Sequence, residues 1–512
     1  MGFTYGKTGV KLIGDSGDAI GLPTTTFGSL RVEGLVPTAQ GDFVYGINNL
    51  VFDVIKYAGG GCTVQDGVLI VSSSTSPSGS AAVQLRRTLR YRPGQGSLFR
   101  GTCLFNTGVA GNIQLVGVGN GEAGYYFGYL QSAFGILHQP TSRREIRKLD
   151  VTTGAGTGNV TVTLDGDSQV VAVVGGSDET QTAYQLAQAD YTQLGNGWIT
   201  DVVSSSVYFL SARAEPLGGS YSVAGASIVG TFSQVQEGIS PASTFIPQSS
   251  WNVDPLDGTG PSGMTLDPQK GNVYQIGFQY LGFGNAFFGI ENEDTGRIET
   301  VHNIKHANSR TTPVLSNPNV HGLVTSTNFF IGSDTGIDVP TKAASLATFN
   351  EGQVTRLDPK FSFSETVTIP DTGGSWAPLI AFKANSVFRN RASFGEIELL
   401  RISATNDAPS STPKNFRIAF FVDSTITGDV DFQYVDEERS VVSYALLDAS
   451  AQTITPETGA IFSMGVGSGG TTTQDLIPLN FVFEPGSVIV IACNRNGVGD
   501  TGAITLNWYE KQ

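Results

Sequence analysis

The residues of this chain whose chemistry could be put to use are its four histidines, its three cysteines and a few clustered carboxylates. His302 and His306 stand four apart in RIETVHNIKHAN. On a helix that spacing turns two imidazoles to one face. At the end of a strand pattern, as here, the same spacing shares a face but separates the rings by about 13 Å. No cysteine or third histidine is spaced to complete a metal site, so His138, His302, His306 and His321 are expected to be structural. Cys62, Cys103 and Cys493 are odd in number and far apart. That is neither a disulfide framework nor a zinc ribbon; they read as small buried hydrophobes made in a reducing cytosol. Asp254 and Asp257 in DPLDGTG could offer oxygens to Ca²⁺. The spacing lacks the alternating-Asp pattern, and Asp before Pro or Gly is ordinary turn chemistry. No metal and no cofactor is expected.

A glycosidase needs two carboxylates facing each other across a cleft. Glu291, Glu293 and Asp294 fall together at a hairpin turn, as do Glu437 and Glu438, and clusters of that kind read as solvated tips. Nucleophile-elbow, zincin and P-loop motifs are missing from the sequence. GVGNGEAG at Gly117–Gly124 has the glycines of a nucleotide loop but sits between strands rather than before a helix. No catalytic residue is nominated. Aromatic runs offer a different chemistry, a shelf on which sugar rings stack. Tyr125, Tyr126 and Tyr280 are the candidates for a glycan-facing set, although half of any alternating set must face a core.

The elements that would hold these residues are strands. With 65 Gly, 22 Pro and only 15% charged residues, the composition favours many short strands and turns over long helices. At 512 residues the chain is too long for a single core. Residues 1–40 are rich in Gly, Thr and Pro with weak periodicity and read as an extended N-terminal anchoring arm. Strand signals then recur every 8–12 residues or so, the spacing of a β-sandwich. In Ser80–Tyr91, Ala81, Val83, Leu85, Leu89 and Tyr91 form the inward, more apolar side. In Val273–Leu281 the alternation runs through Tyr274, Ile276, Phe278 and Tyr280, and in Arg297–Ile304 through Ile298, Thr300, His302 and Ile304.

Between these two stretches the pattern changes. A hairpin turns at Asp165–Asp167. DETQTAYQLAQADY follows as a helix, with Asp178 as its cap and Ala183, Leu186, Ala187 and Tyr191 on its apolar face. Further strands complete a ββαββ unit. The expected organisation is therefore a discontinuous β-sandwich over 41–148 plus 239–344, an inserted α+β module at 149–238, and a C-terminal jelly-roll-like sandwich at 345–512. The fold class is mainly β, jelly-roll or sandwich, with one small α+β insertion.

The net charge of −15 offers a polyanion no counterion-release attraction, so nucleic acid is not expected as a partner. Two local basic runs, Arg86–Arg92 and Arg143–Lys148, read as edge strands whose charges discourage stray pairing. The first residues carry no long apolar stretch, so no signal peptide is expected, and runs such as Val488–Cys493 are too short for a membrane span.

Three segments resemble virion structural proteins of tailed bacteriophages and some large DNA viruses. They are LRRTLRYRPGQGSLFRGTCLFNTG at 85–108, GYYFGYLQSAFGILH at 124–138 and WNVDPLDGTGPSGMTLDPQKGNVYQIGFQYLGFGNAFFGIEN at 251–292. The inserted unit resembles small modules within phage structural proteins. The likeness covers roughly residues 80–310 and carries no catalytic residues to transfer. It implies a non-enzymatic virion component made in the host cytoplasm: a head fibre, spike, decoration or tail-fibre subunit. It also implies a homo-oligomer, a trimer above other symmetries, docked on other virion proteins through its N-terminal arm, with a host surface glycan as a candidate ligand. The loop holding Trp251, Asp254, Asp257, Gly258, Gly260 and Gly263 is expected to order the assembly seam. A polysaccharide depolymerase or a carbohydrate-binding module is the alternative.

Overall fold

In the computed structural model, residues 34–512 are described apart from Pro93, Ser177, 329–335, 353–357, 408–414, 457–458, 478–480, 496–499 and Gln512. Before residue 34, only the backbone of a three-stranded antiparallel sheet is described (Gly2–Gly6, Gly9–Ile13 and Ala19–Ile20). The anchoring arm expected over 1–40 thus lies largely outside the described residues. Its last part does not hang free: Leu35–Asp42 is a strand paired antiparallel with Pro340–Glu351.

The chain is mainly β and divides into two compact units, Met1–Thr141 with Ala242–Thr355, and Ser142–Pro241 with Arg356–Gln512. The first is a sandwich of two antiparallel sheets. One orders its strands Thr244–Pro247, Ala133–Gln139, Gly124–Leu130, Asn112–Gly119, His321–Asn328, Ser80–Leu85 and Phe52–Tyr57. The other runs Ile298–Ile304, Ala286–Glu291, Asn272–Phe278, Ser97–Leu104, Pro340–Glu351, Val68–Ser72 and Gly61–Gln65. The alternation works as expected: Ala81, Val83, Leu85, Tyr274, Ile276 and Phe278 all point into the shared core. Phe127 of one sheet meets Tyr274 and Phe288 of the other at ring-centroid distances of 5.0 and 5.4 Å. Burying each such ring contributes about 1.5–3 kcal/mol.

Two strand readings need correction. Ser80–Tyr91 ends as a strand at Leu85. It lies between His321–Asn328 and Phe52–Tyr57, so it is no edge. Arg86 is instead paired with Asp53 at 2.8 Å and donates to the Asn49 carbonyl. In Ile298–Ile304 a bulge between the partners Phe288 and Gly289 breaks the alternation, so Val301 takes the fully buried place.

In the second unit a six-stranded sheet occupies the centre, ordered Gln433–Tyr434, Val442–Leu446, Ala377–Ala384, Val488–Asn494, Phe416–Val422 and Phe462–Val466. One face packs on a sheet built from Lys360–Ile369, Asp500–Lys511, Glu396–Asn406 and Thr471–Asp475, through Phe382, Ile418, Phe420, Ile489 and Ile491. The opposite face presents Ala381, Ala419, Phe421, Ala445, Val490 and Ala492. It is covered by residues of the inserted stretch, among them Val202, Val207 and Tyr184. A sheet buried on both faces must be apolar at successive positions.

The inserted stretch is built differently from a single ββαββ sheet. It holds one sheet ordered Trp198–Val203, Ser206–Ser211, Ile146–Thr153, Val229–Gln236 and a second ordered Asp167–Gly176, Gly156–Leu164, Ser222–Ala224. Its basic strand Ile146–Thr153 is interior, hydrogen-bonded on both sides. The charges there are paired, Arg147 with Glu145 and Lys148 with Asp150, both at 2.7 Å. The helix forms over Glu179–Ala187, with Asp178 accepting from the Gln181 amide at 2.7 Å and Ala183 and Leu186 fully buried. It stops short of Tyr191, which lies past its end in a β-bridge with Trp198 and donates its hydroxyl back to the Leu186 carbonyl.

Candidate functional site

The histidines converge in a way their sequence positions conceal. The Tyr125 ring lies in the first unit's core, stacked on His138 at 4.7 Å, and its hydroxyl is 3.1 Å from Nε2 of His306. The two imidazoles are 5.1 Å apart, and His138 Nε2 reaches the Val314 carbonyl at 2.8 Å. Burial drives the pKa of each ring down to about 4, with the positive Arg310 nearby pushing the same way. Both are therefore neutral at physiological pH and behave as core aromatics. His302 accepts from the Asn252 amide at 3.0 Å and is also shifted downward by burial; His321 pairs with the Leu85 carbonyl at 2.9 Å. Among the described residues no three His, Cys, Asp or Glu side chains are grouped so as to hold a metal.

The glycan-facing set is corrected. Tyr125 is fully buried, and Tyr126, 4% exposed, packs into a second small cluster with Leu115, Leu137 and Leu323. Both faces of Gly124–Leu130 are covered, so alternation moves a tyrosine from one core to another and never to solvent. Tyr280 is half-buried, with its ring edge-on to Tyr91 at 5.0 Å and its hydroxyl donating to the Leu315 carbonyl. The structure offers no open aromatic shelf from these three.

The loop expected to form a seam is a self-closed staple. Trp251 is buried against Phe127 and Phe134 at 5.9 and 6.2 Å. Asp254 is buried, its two oxygens accepting the amides of Leu256 at 2.9 Å and Ser262 at 2.8 Å. Gly260 is required by that closure, since a Cβ there would lie 1.9 Å from Asp254 Oδ1. Asp257 accepts from both the amide and the hydroxyl of Thr259. Gly258 and Gly263, at φ +85° and +69°, make the turns. Trp251 and Asp254 thus serve the fold of their own chain, while Asp257, Gly258 and Gly263 are exposed at the tip.

In the same unit, a cleft of about 400 Å³ is lined by Val68, Ile70, Thr102, Cys103 and Lys342. A different exposed feature of the same unit is more unusual. The turn between Leu35–Asp42 and Phe52–Tyr57 holds Val44 at 62%, Tyr45 at 101% and Leu50 at 62% exposure.

The second unit holds a polar cluster that sequence reasoning missed. Lys383 and Asp201 are 5% and 4% exposed, with Nζ 2.5 Å from Oδ1. Lys383 also donates to the Val202 carbonyl and lies 4.6 Å from the centre of the Phe432 ring. The other oxygen of Asp201 accepts the amides of Ser386 at 2.7 Å and Val387 at 3.2 Å. Tyr208 and Tyr434, hydrogen-bonded to each other, stand nearby. Burial pulls the Lys383 pKa down against the pull of Asp201. The available signal was a lysine at a core-facing position of the apolar run PLIAFKA, just past Phe382.

Buried carboxylates elsewhere in this unit are occupied as well. Glu510 accepts from Ser440, the Val441 amide and Trp508 Nε1, and Glu396 and Glu398 share Lys511 at 3.3 and 3.2 Å. Glu293, Asp294, Glu437 and Glu438 are exposed at their turns.

No family model and no curated protein sequence matches this chain. Among solved structures it is similar to peanut lectin with a nonapeptide, at 11% identity and a TM-score of 0.23 over 62% of this chain and 99% of that one. It is similar to the Sulfolobus turreted icosahedral virus structure at 9% identity and TM-score 0.15, covering 93% of this chain and 98% of that one. The Faustovirus major capsid protein stands at 7% and 0.07, with 93% and 90% covered. At these TM-scores the likenesses carry no argument.

Proposed function

We propose that this protein is a structural subunit of a virus particle that assembles with copies of itself and is displayed as a fibre, spike or decoration protein. The observation that carries the reading is the exposed apolar turn Val44–Leu50. Large hydrophobics grouped in one exposed loop mark an interaction surface, and on a self-associating subunit that surface meets its counterpart on a second copy. The resemblance of residues 80–310 to virion structural proteins supplies the context. The stapled loop supports it too, presenting Asp257, Gly258 and Gly263 on a rigid base beside the core. An acidic surface favours solubility and discourages adhesion to packaged nucleic acid.

The test is the solution mass by light scattering of the full chain, of a chain lacking residues 1–33, and of a Tyr45→Ser, Leu50→Ser double variant. Truncation stops at 33 because Leu35–Asp42 is part of the sandwich. A closed oligomer is expected for the first two and a smaller species for the variant. A monomer in all three would overturn the reading.

A further inference from the structure

We infer that Lys383 and Asp201 are the two halves of an intramolecular amide cross-link, joining the central sheet of the second unit to the module that covers it. The pair spans 182 residues of sequence, and it is assembled only when the module is seated on Ala377–Ala384.

Three features of the geometry point to amide formation rather than to a simple ion pair. The first is proximity. Nζ lies against Oδ1 at 2.5 Å, so the nucleophile is held next to the carboxyl carbon it must attack, and positioning of this kind replaces a bimolecular encounter.

The second is polarisation. Oδ2 accepts two backbone amides, Ser386 N at 2.7 Å and Val387 N at 3.2 Å. These donors are aimed at the oxygen on which negative charge grows when Nζ adds to Cγ, which is the arrangement of an oxyanion hole.

The third is the surroundings. The pair is buried beside Phe432 and the apolar cluster of Val202, Ala381 and Val490, where two charges are expensive to keep and a neutral amide is not. Burial also favours the uncharged, nucleophilic amine.

The step balances without a co-reactant. The lysine ammonium and the aspartate carboxylate exchange a proton to give amine and carboxylic acid. Nζ then bonds to Cγ, and the Cγ–Oδ1 bond breaks. Oδ1 leaves as water carrying two of the three ammonium protons, and the third remains as the amide N–H. Nothing is oxidised or reduced. The product keeps the hydrogen bonds around it: the new N–H has the Val202 carbonyl, and the new carbonyl oxygen retains the Ser386 and Val387 amides.

The experiment is the intact mass of the purified full chain under denaturing conditions, followed by tryptic mapping. The expected mass is one water below that of the sequence. The expected map contains a branched peptide carrying both Lys383 and Asp201, with no cleavage after Lys383. Asp201→Ala and Lys383→Met should each restore the full sequence mass. A native chain at the full sequence mass, with Lys383 cleaved and its peptide linear, overturns the inference. Because that reading is taken on the unaltered protein, it stands even if both variants fail to fold.

Discussion

Tyr125 and His138 stack nearly parallel, 17° between their planes and 4.7 Å between ring centres, with His306 closing the cluster from the Tyr125 hydroxyl. A stacked neutral imidazole is a good core aromatic and a poor ion. In the folded chain both His138 and His306 take a proton only near pH 4, against an ordinary 6.5 when unfolded. Between those values the unfolded chain binds more protons. Stability is therefore full above about pH 6.5 and drains away as pH falls toward 4, by up to about 1.4 kcal/mol per pH unit for each ring. Urea unfolding across this window checks it. His138→Phe keeps a stacking ring and removes one titration, so its pH slope should be shallower than that of the unaltered chain. An equal slope would contradict the account.

The staple at residues 254–263 makes a prediction about a glycine. Gly260→Ala drives a Cβ into Asp254 Oδ1 and should open the hydrogen bonds to Leu256 and Ser262. The buried Leu256 amide then loses its acceptor, at about 1–3 kcal/mol, and the part-buried Ser262 amide loses its own at a smaller cost. Thermal unfolding should register this as a lower midpoint. Gly271→Ala, where an added Cβ meets nothing within 4 Å, is the matched control and should leave the midpoint near its original value.

What could be read in advance was whatever is decided locally. Asp178 caps its helix because the side chain needs only the amide three residues on. Tyr274, Ile276 and Phe278 point inward because a strand alternates and one of its faces is apolar. What escaped was whatever depends on neighbours from other strands. Tyr126 looks outward from the large core, yet Leu115, Leu137 and Leu323, on three other strands of its own sheet, pack beside it and bury it. In the Tyr125–His138–His306 cluster, hairpin register makes Tyr125 and His138 direct partners, but no spacing rule brings His306 to them. The apolar run at Val488–Cys493 has the signature of a strand buried on both faces. Lys383 escaped because its partner Asp201 lies in another layer.

The helix cap supplies a local test. Asp178→Ala removes the acceptor for the Gln181 amide and should cost about 0.5–2 kcal/mol, while Asp178→Asn should cost little. Hydrogen exchange of the first helical turn is the measurement. Equal protection in both variants would show that packing of Ala183 and Leu186, rather than the cap, holds that turn.

The small side chains on the module-facing side of the central sheet make the sharpest packing prediction. Ala419 and Ala492 are opposite each other in register, both fully buried, with the inserted stretch pressed over them. Alanine at both positions lets the covering layer approach closely, whereas Ile418 and Ile491 fill the deeper space on the other face. Ala419→Leu adds three carbons where close packing leaves no room, so the sheet or its cover must shift, at about 1–3 kcal/mol. The cover is the softer element, being two small sheets and one helix rather than the middle of a six-stranded sheet. Exchange protection should therefore fall in Glu179–Ala187 and Trp198–Val203 while Val488–Asn494 keeps its own. Uniform loss across both groups would mean that the layers unfold together. The Lys383–Asp201 amide tethers Trp198–Val203 to the sheet, so the helix should lose protection more than that strand.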